Sequence, residues 1–371
     1  MSGPLRVGIA GVHGHGRSHV DAALALGDAV ELVAVADPRG GGDVPPGVRV
    51  FTDAGTMLDA GDLDIAIFST PIPTHADLAV QALEAGAHVL LEKPPVVSIA
   101  EHARVDAAAR AADRSVQVGF QSLASAGVAA ARQMATSGEI GELEHVGAVG
   151  LWSRSEEYWR RSAWAGRRHA ADGAVVADGA VTNPLAHAVA TALAIAGART
   201  PDDVRGIRTD LRRANDIDTD DTSSLVIDLA AGGRIAAALS VTAPRRHEPY
   251  VLLRGSRGHA LYFYTLDLLQ VHRAGAALPQ TFAFTRVGLL ADLVAHARHG
   301  TPLAVPLADT GAFTRVLEEV VASPAPRAAA SAHVSIENRD GETFRIVRGI
   351  EEWSERVAWE AATFSELGAP W

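Results

Sequence analysis

Cysteine is absent from this chain altogether. Disulfides, thiolate metal sites and a cysteine nucleophile are therefore excluded by composition. Basic charge is also in short supply: 33 lysines and arginines stand against 44 acidic residues, a formal net charge of −11. Nucleic acid or an anionic membrane would need a net basic face, so neither partner is expected. Long apolar runs are missing too. The longest, such as "HAVATALAIAGA", fall short of the ~20 residues that cross a bilayer. The strand-like run "LRVGIA" follows Met1 closely, so no signal peptide is expected and a cytoplasmic protein is. There is no internal repeat and no low-complexity linker.

What is present is ample core material. With 371 residues, 48% of them hydrophobic, two domains of unequal size are expected. Strand-like runs at "LRVGIA", "VELVAVAD", "DIAIFST", "AHVLLE" and "SVQVGF" alternate with helical patterns such as "THADLAVQALEAG" and "SIAEHARVDAAARAAD". The latter opens on a capping box, Ser98 with Glu101; the former is expected to use Thr74 as N-cap and to end at Gly86. Alternation of this kind predicts an α/β fold, with a doubly wound parallel sheet as a Rossmann domain over residues 1–122. After residue 122 the pattern changes. Runs carrying Gly-Gly, Gly-Ser-Arg-Gly and Asp-Gly turns predict a second, α+β domain over 123–371 with a largely antiparallel open sheet. Helices are expected near 284–299, 308–322 and 350–366. The open face of that sheet suggests a homo-oligomer, dimer or tetramer. The amphipathic tail "GIEEWSERVAWEAATFSELGAPW" would either lock the domains or serve an interface.

The stretch "GVHGHG" follows the first strand run and opens a helix. Gly11 permits a tight turn, and Gly16 lets the helix pack close to the sheet. The helix start then offers free N–H groups to a pyrophosphate. The middle glycine of the dinucleotide fingerprint is replaced by His13, with Gly14 supplying local freedom and His15 beside it. Asp37 ends the next strand roughly 20 residues beyond Gly16, as the fingerprint requires. Its carboxylate would accept from ribose hydroxyls, which favours NAD; Arg39 keeps NADP within reach. A flexible strand–helix turn is the plain alternative. The histidines of "HGHGRSH" invite a metal reading, but their helix-start context argues against it, and no metal is expected.

Two further strand ends carry unusual sequence, "STPIPTH" and "LLEKPP". The whole stretch "STPIPTHADLAVQALEAGAHVLLEKPP" resembles the signature of the Gfo/Idh/MocA oxidoreductases, which act mostly on sugars and cyclitols. The order of the chain from the glycine turn through "VGFQ" to the later sheet is similar as well. By that resemblance Lys93 lies beside the nicotinamide and bonds the reacting hydroxyl. Thr70, Pro71, His75 and Glu92 line the nicotinamide half of the cofactor, and Gln121 contacts cofactor or substrate. "NPLAH" matches the family's Asp-x-x-x-His motif, with His187 at the catalytic position and Asn183 where aspartate is usual. Asparagine brings no charge, and the positive end of a helix disfavours imidazolium, so a neutral His187 is implied. Asn183 and Pro184 also read as a plain helix start.

The segment "LWSRSEEYWRRSAWAGRR" gathers three of the six tryptophans and five arginines in an acidic chain. Aromatic faces stack on sugar C–H faces and guanidinium groups bind hydroxyls or acids, so Tyr158, Trp164 and Arg167 are candidate substrate contacts. The expectation is an NAD-dependent dehydrogenase of a polyhydroxylated small molecule. An enzyme that retains NAD while cleaving a glycoside or eliminating a group is the alternative. A non-catalytic dinucleotide sensor is the third.

Overall fold

A computed structural model describes residues 3–371. The chain divides into two compact units, one holding the residues up to Ala124 with Val287–Thr310, the other Ser125–Arg286 with Gly311–Trp371.

In the first unit the apolar runs become short buried strands: β1 Leu5–Ala10, β2 Val30–Ala36, β3 Arg49–Phe51, β4 Ile65–Phe68, β5 His88–Leu91 and β6 Val116–Val118. They form one parallel sheet in the order β3-β2-β1-β4-β5-β6. Runs such as Ile65–Phe68, buried on every residue, are what a sheet covered on both faces demands. Helices α1 Gly16–Ala25, α2 Ala54–Asp59, α3 His75–Glu84 and α4 Ile99–Ala112 make the crossovers. Ser98 caps α4 as expected, accepting from the Glu101 N–H at 3.2 Å. The Glu101 carboxylate, however, accepts from Val97 rather than from Ser98. Thr74 does not cap α3 with its side chain; its hydroxyl donates to the Pro71 carbonyl at 2.8 Å. The helix Leu289–His299 belongs by its contacts to this unit. It is tied to β6 through Gln117, whose Nε2 donates to Asp292 at 2.6 Å and whose Oε1 accepts from the Val305 N–H at 3.0 Å.

In the second unit, α5 Ala126–Ser137 leads to β7 Leu143–Leu151, and α6 Ala186–Ala196 precedes the strands β8 Val204–Arg213, β9 Thr222–Leu229, β10 Arg234–Ser240, β11 Tyr250–Gly255, β12 Gly258–Phe263, β13 Leu268–Arg273 and β14 Gln280–Ala283. With β15 Arg327–Ala328 they form a nine-stranded sheet, β14-β13-β12-β11-β7-β10-β9-β8-β15. All pairings are antiparallel except β7 with β10 and β8 with β15. A separate hairpin pairs β16 Val334–Arg339 with β17 Glu342–Val347. Helices α5 and α6 cover one face of the sheet. The other face is covered by the C-terminal helix Ile350–Glu360 and the tail beyond it, which bury Val149, Ala238, Leu252, Val357, Phe364 and Trp371 in one core. Gly147 on β7 is the close approach, since a Cβ there would sit 2.8 Å from the Ala358 carbonyl. The apolar side of the sheet that faces the tail thus finds its partner within its own chain.

His88, at the start of β5, accepts the Ser115 N–H on Nδ1 at 3.1 Å. Burial, with Arg114 and His296 nearby, holds its imidazole down to about 4. The unfolded chain takes up this proton below the ordinary value of 6.5 while the native state does not. His88 thus contributes stability above that value, and the contribution fades as pH falls toward 4. Asparagine can accept the same N–H without titrating. His88→Asn should flatten the acid loss of stability by roughly 1–2 kcal/mol between pH 7 and 4.5. Urea midpoints of the two proteins across that range measure it; parallel curves would refute the assignment.

Candidate functional site

The carboxyl ends of β1, β2, β4, β5 and β6 bring the first group of candidates to one edge of the first unit's sheet. Gly11 has a φ of +79°, and a Cβ there would lie 2.3 Å from the Ser69 carbonyl. A Cβ on Gly16 would meet the Gly11 carbonyl at 1.7 Å, so the turn can close against α1 only with glycine at both places. Gly14, at φ +61°, faces open space, and the backbone turns there instead of at residue 13. The His13 imidazole leaves the turn sideways: Nε2 lies 3.0 Å from the Gly40 carbonyl and 3.9 Å from the Asp37 carboxylate.

Asp37 is buried and accepts N–H groups from Val12 at 3.2 Å and Arg39 at 3.0 Å, with the Arg39 guanidinium at 3.2 Å. Burial alone would raise its pKa. The Arg39 N–H and guanidinium and the Val12 N–H outweigh that and hold it below the usual carboxylate value. The group at the end of β2 is therefore an acceptor fit for hydroxyls.

After β4 the Thr70 hydroxyl lies 2.7 Å from that of Thr74, and Pro71 starts the short turn before α3. His75 is buried between two segments, with Nε2 2.9 Å from the Thr70 carbonyl and Nδ1 3.0 Å from that of Pro94. Burial pushes its pKa down while those carbonyls favour the charged ring, and the side chain fills the space between the β4 turn and the chain carrying Lys93. The Lys93 N–H donates to Glu92 Oε2 at 3.1 Å. Gln121 opens a one-turn helix just past β6.

Glu92 carries the strongest charge constraint in this unit. It is buried, and its Oε1 receives His15 Nε2 at 3.2 Å and His19 Nε2 at 3.0 Å. Burial would favour the neutral acid, but the two imidazoles overcome it and hold the carboxyl far below its usual range. His15 is correspondingly raised, chiefly by its bond to Glu92. Gly119 leaves room for the carboxylate, since a Cβ there would lie 2.8 Å from it. His19 and Gly119 were not among the sequence candidates. The i, i+4 spacing of His15 and His19 on one helix face was the available signal.

In the second unit α6 begins at Ala186, so His187 sits in its first turn. Leu185, not Asn183, stands at the N-cap, which corrects the plain helix-start explanation of Asn183. Its amide instead donates from Nδ2 to Asp178 Oδ1 at 2.5 Å. Asp178 is fully buried and also accepts from the Gly166 N–H and, on both oxygens at 2.8 Å, from Arg161. The carboxylate missing at position 183 therefore stands one hydrogen bond away, with its charge already met by a guanidinium.

The arginine–tryptophan segment organises this pair. The Arg161 guanidinium lies 3.9 Å from the Tyr158 ring centre and 4.8 Å from that of Trp164. Both rings are thus engaged with Arg161. Arg167 pairs with Asp218 at 3.2 Å and lines a cavity of about 350 Å³ together with Trp159, Arg160 and Arg345. Tyr158 and Trp164 are not among that cavity's walls. Among the described residues no helix is long and apolar enough to cross a membrane.

Residues 5–120 match the profile of the Gfo/Idh/MocA oxidoreductase family, NAD-binding Rossmann fold, and residues 128–261 match that family's C-terminal domain. The inositol 2-dehydrogenase of Leifsonia xyli subsp. xyli is 33% identical over 144 residues, 38% of this chain and 42% of that protein. The rhizopine catabolism protein MocA of Rhizobium meliloti is 36% identical over 122 residues, 31% of this chain and 37% of its own. The matched region thus spans less than half the length of these curated relatives. Among solved structures, an inositol dehydrogenase homolog from Azotobacter vinelandii complexed with NADH and myo-inositol aligns with a TM-score of 0.70 at 16% identity, covering 87% of this chain and 96% of that one. The WlbA dehydrogenase from Bordetella pertussis in complex with NADH and UDP-GlcNAcA aligns at 0.68 and 20% identity, over 86% and 95%. At these identities the likeness is one of fold.

Two outcomes follow from the geometry. Arg161→Ala leaves the Asp178 carboxylate buried without its cation. The expected loss is about 2–3 kcal/mol in denaturant unfolding, below the fully buried range because the guanidinium is 27% exposed. Adding Asp178→Asn should recover part of it, and an unchanged single variant would show the pair to be idle. Separately, His13→Gly should leave NAD affinity within about threefold or tighten it, read by calorimetry. A loss beyond about tenfold would make the imidazole itself a ligand.

Proposed function

Since the chain belongs to the Gfo/Idh/MocA oxidoreductase family, we propose that it is an NAD-dependent dehydrogenase acting on a ring carbinol of a cyclitol, sugar or sugar acid. One observation carries this reading: the turn that only glycine can close, Asp37, and the Glu92–Lys93 segment lie at the carboxyl ends of strands along one edge of the same parallel sheet. That is where an open α/β sheet binds its ligand. The residues fit a dinucleotide, since the Cβ atoms that would block a pyrophosphate turn are missing at Gly11 and Gly16. Asp37 remains an ionised acceptor for ribose hydroxyls.

When bound, the nicotinamide supplies the hydride acceptor. The rest falls to the chain. The α1 N-terminus orients the phosphates, and Thr70, Pro71 and Gln121 flank the nicotinamide half. His75 and Glu92 hold the backbone from which Lys93 binds the carbinol oxygen. His187, as a neutral imidazole, takes the carbinol proton, and Asn183 offers its carbonyl oxygen without charge. Arg167, at the wall of its cavity, and Tyr158 and Trp164, beside Arg161, are the candidates for the substrate's outer hydroxyls and ring faces. A cytoplasmic setting is part of this reading, since NAD is an intracellular cofactor.

The test is NADH formation at 340 nm across a panel of inositols, sugars and sugar acids. Lys93→Ala and His187→Ala should each lower kcat by about a hundredfold or more, the usual worth of positioned acid–base groups. A substrate oxidised equally well by both variants would refute the site. Glycoside loss without NADH accumulation would favour the NAD-retaining alternative.

A further inference from the structure

One side-chain cluster in the first unit has chemistry that exceeds cofactor binding. His15, at the N-cap of α1, and His19, one turn further along, both aim Nε2 at Glu92 Oε1, 3.2 and 3.0 Å away. The three ligand atoms lie within 4.8 Å of one another, and this is the only such group of three His, Cys, Asp or Glu among the described residues. We propose that these side chains form a site for a zinc-like divalent cation. Occupation of that site would exclude the dinucleotide.

The donor set supports the class of ion. Two imidazoles and one carboxylate suit zinc and its late first-row neighbours, whereas magnesium and calcium want oxygen ligands. Tetrahedral zinc holds such atoms at ~2.0–2.2 Å, which places them ~3.3 Å from each other. Each imidazole already stands at about that separation from Glu92, so only the two rings need approach one another. The second oxygen of Glu92 is anchored by the Lys93 N–H at 3.1 Å, the kind of outer bond that orients a metal ligand. Exposure is graded. The Glu92 and His19 side chains are 7% and 10% exposed but His15 is 57% exposed, which gives an entry path and room for a fourth, water ligand.

Competition follows from shared residues and rests on the dehydrogenase reading. His15 precedes Gly16 in the pyrophosphate turn, and Glu92 adjoins Lys93. An ion coordinated by both would lock the turn to the Glu92–Lys93 segment and take up space between them that the cofactor needs. Zinc would then oppose NAD at the binding step.

Calorimetric titration of zinc chloride into the cofactor-free protein should show one site of micromolar affinity. His15→Ala and His19→Ala should each weaken it by at least about tenfold. His272→Ala, in the stacked His259–His272 pair of the second unit, should leave it unchanged. No binding, or binding that survives both α1 substitutions, overturns the site. In the second arm, NAD is titrated at fixed zinc concentrations, and its apparent Kd should rise in proportion to zinc. An NAD affinity indifferent to a filled zinc site overturns the exclusion. Zinc binding in a protein that never binds NAD would leave the site standing and remove the dehydrogenase reading, so the two failures are distinguishable.

Discussion

A carboxylate withdrawn from water must be met by donors or it takes a proton, and the cofactor edge of the first unit depends on how this is solved at Glu92. The imidazoles of His15 and His19 meet it through one oxygen, and the Lys93 backbone meets it through the other. The same contacts therefore pull the glycine turn, the first helix and the end of β5 into register. Gly119, on the neighbouring strand end, exists in that role because any larger residue would enter the carboxylate. Removing the charge would loosen three segments at once.

The second unit repeats the solution with different chemistry. Asp178 is buried, and a guanidinium meets it where Glu92 has imidazoles. Its partner is drawn from the irregular segment after β7, where Tyr158 and Trp164 engage the Arg161 side chain. The aromatic richness of that segment, which on composition suggests sugar stacking, is spent largely on holding a cation in place. Asn183 fits this arrangement better than aspartate would. A second carboxylate 2.5 Å from Asp178 would set two like charges against each other.

Strand and helix alternation was legible in the first unit because each crossover announces itself by period and by cap, as Ser98 does for α4. β3 was not, since three residues carry no period. The glycine turn was legible by its context, although the sideways exit of His13 required the position of Gly40. The contacts that organise the site were out of reach for a physical reason. His19 and Glu92 are 73 residues apart, and Arg161 and Asp178 lie in a stretch with no repeating pattern to place one against the other. Helix 289–299 follows the second unit's strands in sequence but packs in the first, because Gln117 of β6 and Asp292 supply a polar join that hydropathy does not display.

The tail that seals the second sheet also sets a schedule. β7 and β10 present one apolar face that is not covered until residues 350–371 have been made, roughly two hundred residues after β7 itself. During synthesis that face stays open while much of the remaining chain emerges, and it is the surface a chaperone or a neighbouring nascent chain would meet first. A fusion or truncation that displaces Phe364 or Trp371 would lengthen that exposure. Yield and solubility would then suffer before any effect on the cofactor edge could be seen.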